Sequence, residues 1–186
     1  MRLILVMLSS VYFLAGCGTD REDVNGNISK TSIEMVTFSE SEEDDFTFRL
    51  KSEKEQYKEG EPLDIVAELT YSGEEDIVIG HGGSWVALIT TNVSKDYHFG
   101  SAMIEPYIGT PIPSGETITT PYAFSGGTYH EGDTGEPFSD EEFKRMTEGD
   151  FPPGVYKIEA VTEFVIEGEE KRYNLTGEII FEVVGE

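Results

Sequence analysis

A strict two-residue alternation of apolar and polar side chains runs through much of this chain and limits the folds open to it. The pattern covers residues 46–50, 63–71, 156–166 and 175–183. Successive side chains of a β-strand point to opposite faces, so alternation of this length indicates strands with one buried and one solvated face. Antiparallel sheets present this pattern, whereas strands of parallel sheets are apolar throughout. The sequence therefore predicts an all-β fold built from antiparallel sheets.

Glycine and proline clusters separate the alternating runs and mark turns. They are Gly60-Glu61-Pro62, Ser72-Gly73, Gly80 to Gly83, Pro113-Ser114-Gly115, Gly126-Gly127, Pro152-Pro153-Gly154 and Gly168. Shorter apolar stretches lie between them at 77–79, 85–91, 102–108 and 117–124. Many short strands punctuated by turns are typical of a β-sandwich. We expect residues 46–186 to form an Ig-like antiparallel β-sandwich of seven to nine strands.

One short helix is predicted inside a long inserted connection. Ser139 is followed three residues later by Glu142, which is the spacing of a capping box at a helix N-terminus. Residues 141–146 continue the helix for a turn or two. The segment 125–152 that contains it is expected to be a loop joining two strands.

The N-terminus carries a hydrophobic run between Leu3 and Leu14, preceded by the single charge of Arg2. This run is too short for a permanent transmembrane helix, which needs about 20 apolar residues, and it is typical of a secretory signal peptide. The run ends in Leu14-Ala15-Gly16-Cys17. This motif resembles the lipobox of bacterial lipoproteins at all four positions.

The lipobox resemblance implies cleavage before Cys17 and a diacylglyceryl-modified, palmitate-type lipid anchor on its sulfur. Residues 1–16 are then a signal peptide, and the protein is anchored on the extracytoplasmic face of the cell membrane, with a Gram-positive envelope favoured. Two acyl chains suffice for stable anchoring where one does not. The alternative is cleavage elsewhere, with Cys17 left as a free thiol.

The chain is strongly acidic, with a formal net charge of −24 that becomes −25 when Arg2 is removed with the leader. Charge of this sign opposes binding to nucleic acid, so no nucleic-acid partner is expected. Residues 17–45 are mostly acidic or polar and cannot bury enough apolar surface to fold alone. We therefore interpret 17–45 as a flexible tether that follows the lipidated cysteine. The alternative for its end is a short strand of Ile33, Met35, Val36 and Phe38 that docks on the domain.

The sequence does not indicate an enzyme or a cofactor. Nucleophilic hydrolases need a nucleophile, a base and an orienting group held together. Cys17 is the sole cysteine, and no serine lies in a Gly-x-Ser-x-Gly elbow. An enzyme remains an alternative only as part of the metal-site hypothesis that follows.

The three histidines, His81, His98 and His130, raise the alternative of a metal-dependent sensor or enzyme. Their separations of 17 and 32 residues lack the close pairing of common zinc sites. Three separate histidines are therefore the favoured interpretation, and no metal is expected.

Aromatic and histidine residues beside glycine-rich turns are the best candidates for binding. Loops next to glycines let a ligand approach the backbone, and aromatic rings suit recognition of an envelope protein or glycan. Trp85 has a second interpretation, as a buried residue of the central strand. The candidate binding residues are His81, Trp85, Tyr122, Phe124, Tyr129 and His130.

Four local patterns, in this order, resemble the Ig-like domains of bacterial envelope lipoproteins and more specifically the BsuPI-type proteinase inhibitor domains. They are Tyr57-x-x-Gly60-Glu61, an alternating strand that ends near Ser72-Gly73, Pro113-Ser114-Gly115-Glu116 and Pro153-Gly154-x-Tyr156-x-Ile158. The resemblance implies an Ig-like fold and, as an alternative function, proteinase inhibition. Tyr156, two residues after a Pro-Gly turn, suits a corner tyrosine whose hydroxyl bonds to nearby backbone.

Together these observations predict an exported, lipid-anchored envelope lipoprotein with a non-catalytic binding module. Its expected partners are the membrane, through Cys17, and an envelope protein or glycan.

Overall fold

A computed structural model describes residues 33–99, 107–124, 126 and 138–185. The lipobox and most of the tether, together with Tyr129 and His130, lie outside these residues. The described chain is mostly β-strand with one helix, and two sheets pack as a sandwich. The expected all-β class is confirmed.

The described residues form eleven strands and one helix. They are β1 (Phe38–Glu43), β2 (Phe46–Ser52), β3 (Gln56–Lys58), β4 (Ile65–Tyr71), β5 (Ile77–Asn92), β6 (Tyr97–Phe99), β7 (Ile108–Ile112), β8 (Thr117–Pro121), α1 (Asp140–Thr147), β9 (Gly154–Ile166), β10 (Arg172–Tyr173) and β11 (Thr176–Val184). The number exceeds the seven to nine expected because β3, β6 and β10 are only two or three residues long. Such short strands carry no readable alternation.

The two sheets divide the chain in the manner of an Ig-like sandwich. One sheet has the order β1-β2-β4-β8, and the other has the order β3-β11-β9-β5-β6, with β7 on β5 and β10 on β9. The chain crosses between the sheets from β4 to β5 and from β8 to β9, as in Ig-type topologies. All pairs are antiparallel except β3 with β11.

The alternation recognised in the sequence is the burial pattern of the strands. Every second residue of β2 and β4 is buried, beginning with Phe46 and Ile65. β9 and β11 bury alternate residues in the same way, among them Tyr156 and Phe181. These inner faces form one hydrophobic core between the sheets.

Tyr156 is the corner tyrosine that the sequence predicts. Its hydroxyl donates to the carbonyl oxygen of Pro152 at 2.8 Å, and both residues are buried. The bond fixes the Pro-Gly turn that begins β9, because the ring is held in the core while its polar end reaches the backbone.

Strand β1 lies in the segment that the sequence analysis assigns to the tether. It pairs with β2 along its whole length, from Phe38 opposite Lys51 to Glu43 opposite Phe46. Just before it, Val36 exchanges two backbone hydrogen bonds with Ile180 of β11, at 2.9 and 2.7 Å. An acidic sequence is compatible with this position because charged side chains are common on edge strands.

Helix α1 begins with the predicted capping box. The Ser139 hydroxyl accepts from the Glu142 backbone N–H at 3.3 Å, and the Glu142 carboxylate accepts from the Ser139 backbone N–H at 2.8 Å. Phe143 and Met146, spaced three residues apart, turn toward the core. Gly149 has a φ of +88° just after the helix, a conformation that favours glycine at a helix end. In the part of the chain that the structure describes, no helix is long and apolar enough to cross a membrane.

Candidate functional site

An apolar cleft opens between the end of β8 and the C-terminal end of α1. Its volume is about 310 Å³. We name it the aromatic cleft. Its lining residues are Pro62, Leu63, Tyr122, Ala123, Phe124, Met146, Thr147, Glu148, Gly149 and Phe151.

Closely packed rings form the wall and floor of the aromatic cleft. The Phe124 ring lies 5.0 Å from Phe99, 5.7 Å from Phe143 and 5.6 Å from Phe151, between ring centroids. All three contacts are edge-to-face, which is a favourable arrangement for aromatic pairs. Met146 and Phe151 are 0% and 2% exposed. The floor is therefore continuous with the core of the sandwich, and its shape is fixed by core packing.

Tyr122 presents its ring to the cleft and commits its hydroxyl to the interior. The hydroxyl is hydrogen-bonded to Thr90 Oγ1 at 2.7 Å, and Thr90 is buried in β5. The Tyr122 backbone N–H donates to the carbonyl oxygen of Ile65 at 2.9 Å, which extends the pairing of β8 with β4. Burial raises the pKa of the Tyr122 phenol well above its usual value. The side chain is consequently a neutral, oriented ring.

A charged network holds the C-terminal end of α1 beside the cleft. Arg145 Nε lies 2.5 Å from Asp150 Oδ2, and an Arg145 terminal nitrogen lies 2.6 Å from Glu59 Oε1. The guanidinium lowers the pKa of Asp150 below its usual range. These contacts join the helix end to the turn that precedes β4, so both sides of the cleft mouth are held together.

The described residues that line the cleft are mostly apolar. Among them Tyr122 and Glu148 are the ionisable residues, and there is no serine, cysteine, histidine or lysine. The Thr147 hydroxyl donates to the carbonyl oxygen of Lys144 at 2.6 Å, so it is engaged with its own helix. Nucleophilic catalysis needs a nucleophile beside a base. The lining residues offer an apolar surface with one carboxylate at its rim.

The structure brings together two of the six candidate binding residues, Tyr122 and Phe124, in this cleft. Trp85 is instead a core residue of β5, only 6% exposed, with its ring edge against Phe48 at 6.3 Å. The second interpretation of Trp85, as a buried residue of the central strand, agrees with this position. Trp85 does not belong to an exposed binding loop.

His81 also lies within β5 and is buried. Its Nδ1 donates to the Gly82 carbonyl oxygen at 2.6 Å, and its Nε2 pairs with Thr110 Oγ1 at 2.8 Å. Both ring nitrogens thus have protein partners. The glycine cluster around His81 is part of a long strand with an irregularity between His81 and Val86, and it is not a free loop.

The two described histidines are far apart. His81 pairs with Phe164 of β9, whereas His98 pairs with Thr91, which pairs with Lys157 of β9. Seven residue steps of β9 therefore separate them, which is roughly 23 Å at about 3.3 Å per residue. One metal ion cannot bind both. Among the residues the structure describes, no three histidine, cysteine or acidic side chains are grouped to hold a metal.

The residues that complete the aromatic cleft are Leu63, Met146 and Phe151, and the sequence did not single them out. Leu63 begins the alternating run that contains β4, and Met146 lies near the end of the predicted helix. Their contribution depends on how α1 docks against the end of β8, which local patterns do not specify. The one available signal was the apolar spacing of Phe143 and Met146, which requires the helix to cover an apolar surface.

No known protein family matches this chain, and a comparison with curated proteins finds no significant similarity.

Proposed function

We propose that this chain is an exported, lipid-anchored envelope protein whose β-sandwich binds an envelope protein or glycan through the aromatic cleft, without catalysis. The observation that carries the proposal is the cleft itself. It combines a rigid aromatic floor with a lining whose described residues include no paired nucleophile and base. Ligand sites in proteins are concave and mostly apolar with few polar groups, which is the character of this cleft.

The Cys17 motif supports the location. A diacylated cysteine would hold the sandwich at the extracytoplasmic face of the cell membrane. A formal charge of −24 argues against nucleic acid as a partner. Proteins and glycans of the envelope are the macromolecules that such an anchored domain meets.

The dimensions of the cleft favour a single apolar or ring-shaped group as the part that is bound. A volume of about 310 Å³ accommodates one large side chain or one sugar ring. Tyr122 and Phe124 offer ring surface to such a group, since aromatic rings pack against apolar faces of side chains and sugars alike. The Glu148 carboxylate at the rim favours a ligand that carries a hydrogen-bond donor or a positive charge next to the bound group.

Site-specific crosslinking in membranes of the producing bacterium tests this function. A photo-activatable amino acid at Thr147, on the exposed rim of the cleft, is expected to give one discrete adduct with an envelope component. Ala123 is a second exposed residue on the rim of the cleft. The Ala123→Arg variant places a long charged side chain there, across the opening of the cleft. We expect it to reduce the adduct about tenfold or more, because an anchoring pocket carries a large part of the binding energy.

Thr119→Arg is the matched control, because Thr119 is an exposed residue of β8 that does not line the cleft. It should leave the adduct unchanged. Equal loss in both arginine variants, or an adduct that persists in Ala123→Arg, would contradict binding through the aromatic cleft.

A further inference from the structure

A second cavity, of about 500 Å³, lies at the other end of the sandwich and is strongly acidic. Its floor includes the aromatic residues Phe46, Tyr71 and Tyr173, and we name it the acidic pocket. The carboxylates that line it belong to Asp44, Asp45, Glu74, Glu75, Asp76 and Glu169. The two sites lie at opposite ends of β4. Tyr122 of the aromatic cleft bonds to Ile65 at the start of this strand, and Tyr71 of the acidic pocket is its last residue. The seven-residue strand is roughly 20 Å long.

Tyr71 lines this pocket with a hydroxyl that has no hydrogen-bond partner within the described part of the chain. The residue is only 7% exposed, so its ring is held in the fold while its hydroxyl reaches the pocket surface. The hydroxyl lies over Gly73, where an added Cβ would come within 2.0 Å of it, so a side chain at position 73 would displace it. Burial and then the negative charges of Asp45, Glu169 and Glu75 raise the pKa of the phenol. An unpartnered hydroxyl thus lies close to several carboxylates that line the same pocket.

At the edge of the pocket, beside Tyr173 and Asp44, the protein's own Lys171 shows how an ammonium group binds to such surroundings. Lys171 Nζ lies 4.5 Å from the centroid of the Tyr173 ring, 2.6 Å from Asp44 Oδ2 and 2.8 Å from Glu43 Oε1. A primary ammonium is therefore held by an aromatic face and two carboxylates. Phe46 continues the aromatic floor toward Tyr71, with ring centroids 4.8 Å from Tyr173 and 5.2 Å from Tyr71.

We propose that the Tyr71 half of the acidic pocket binds a primary alkylammonium group, supplied by a free amine or by a lysine side chain. The ammonium donates to the Tyr71 hydroxyl oxygen, and the carboxylates of Asp45, Glu75 and Glu169 supply the opposing charge. The aromatic floor contacts the alkyl stem of the ligand.

An organic cation fits the described side chains better than a metal ion. Calcium takes six to eight oxygen ligands at about 2.3–2.6 Å. The described residues contain no group of three carboxylate, histidine or cysteine side chains arranged to hold a metal, despite the number of acids around the pocket. Carboxylates spread around an aromatic floor suit an ammonium group on an alkyl stem, because the rings contact the stem while the carboxylates oppose the charge.

Calorimetric titration of the full chain in a non-ionic detergent tests the proposal. The probes are spermidine, as a free amine, and the capped tripeptide acetyl-Gly-Lys-Gly-amide, as a lysine side chain. The same tripeptide with norleucine in place of lysine keeps the alkyl stem without the charge. Saturable binding of spermidine, of the lysine peptide or of both supports the proposal and identifies the source, and norleucine should not bind.

Two variants connect the binding to this pocket. Tyr71→Phe keeps the ring and removes the hydroxyl, and we expect about tenfold weaker binding, as for loss of a hydrogen bond to a charged group. Glu75→Gln with Glu169→Gln changes two exposed residues, so the fold is preserved, and we expect at least tenfold weaker binding with a smaller salt dependence. Glu53→Gln with Glu55→Gln removes the same charge from exposed positions beyond the far end of β2 and should have less than a threefold effect.

Absence of saturable binding by both amines would overturn the proposal. Equal weakening in the pocket pair and in the control pair would overturn it as well, because it would reduce the effect to net charge. Saturable binding of Ca²⁺ alone that is lost in the pocket variants would also overturn it, since the site would then belong to a metal ion. None of these outcomes affects the aromatic cleft, which shares no lining residue with the acidic pocket.

Discussion

Tyr156 connects the core of the sandwich to the turn that begins β9. Its ring stacks on Phe181 at 5.7 Å and meets the edge of Phe151 at 5.3 Å, while its hydroxyl bonds to Pro152. Tyr156→Phe keeps the packing and leaves a buried carbonyl oxygen without its donor. We expect the free energy of unfolding in urea to fall by about 1–3 kcal/mol.

Tyr107→Phe is the control for this prediction, because Tyr107 is 67% exposed. Its free energy of unfolding should stay within about 0.5 kcal/mol of the parent chain. A Tyr156→Phe variant as stable as the parent would contradict the corner role.

Arg145 makes a pH-dependent contribution to stability through Asp150. The guanidinium lowers the pKa of Asp150 in the folded protein. The contribution is therefore complete above the unfolded value of about 3.9 and is lost as the pH falls through the lower folded value. We expect Arg145→Gln to melt at a lower temperature than the parent at pH 7 and the gap to narrow on acidification below about pH 4.

Lys144→Gln removes the same charge from an exposed position on the same helix. Its melting temperature should follow that of the parent across the pH range. A gap between Arg145→Gln and the parent that did not change with pH would show that the Arg145–Asp150 pair is not its cause.

Single residues differ in how far the sequence predicts them. Tyr156 was predictable because a Pro-Gly turn before a strand fixes both its place and its partner. Trp85 was not, because a large ring after glycines suits either an exposed loop or a buried strand. The choice depends on β5 continuing through its glycines for 16 residues. Pairing with β7 and β9 on either side sustains that strand, and neither partner is local in sequence.

At the scale of elements, strand β1 decides where the folded body begins. Its pairing with β2 and the Val36–Ile180 bonds make residues 36–43 part of both sheets. A chain that starts at residue 46 would lose these bonds and expose β2 as a sheet edge. We expect its free energy of unfolding to be lower than that of a chain starting at residue 33 by on the order of 1–3 kcal/mol.

Urea unfolding of the two truncated chains measures this difference. Amide hydrogen exchange adds a local readout, because the outward N–H groups of β2 should be protected only in the longer chain. Equal stability and equal amide protection in the two chains would show that residues 33–45 belong to the tether and not to the folded domain.

Elements that depend on patterns between neighbouring residues could be predicted from the sequence. Features that depend on packing between separate segments of the chain could not. The alternation over β2, β4, β9 and β11 and the capping box of α1 each depend on neighbours in the sequence. The aromatic cleft depends on α1 packing its Phe143 against Phe124, which lies 19 residues earlier in the chain, just after the end of β8. Tyr122 and Phe124 were therefore recognised as binding candidates, whereas the side of the cleft formed by α1 was not.

At the scale of the whole molecule, the sandwich presents two different surfaces at opposite ends of β4. The aromatic cleft is apolar and closed by a helix, whereas the acidic pocket is wide and lined with carboxylates. Six carboxylates line the acidic pocket, whereas Glu148 is the one carboxylate among the described residues that line the aromatic cleft. The two proposed ligands can therefore bind at the same time.

The proposed function places the sandwich in the envelope, so the most direct measurement is mass spectrometry of the N-terminal peptide of the mature protein. Trypsin cleaves after Arg21, and we expect a peptide of residues 17–21 that carries a diacylglyceryl group on Cys17. The Cys17→Ser variant should lose both the lipid and the membrane association. A mature protein that begins at another residue, or one with a free thiol at Cys17, would contradict the account.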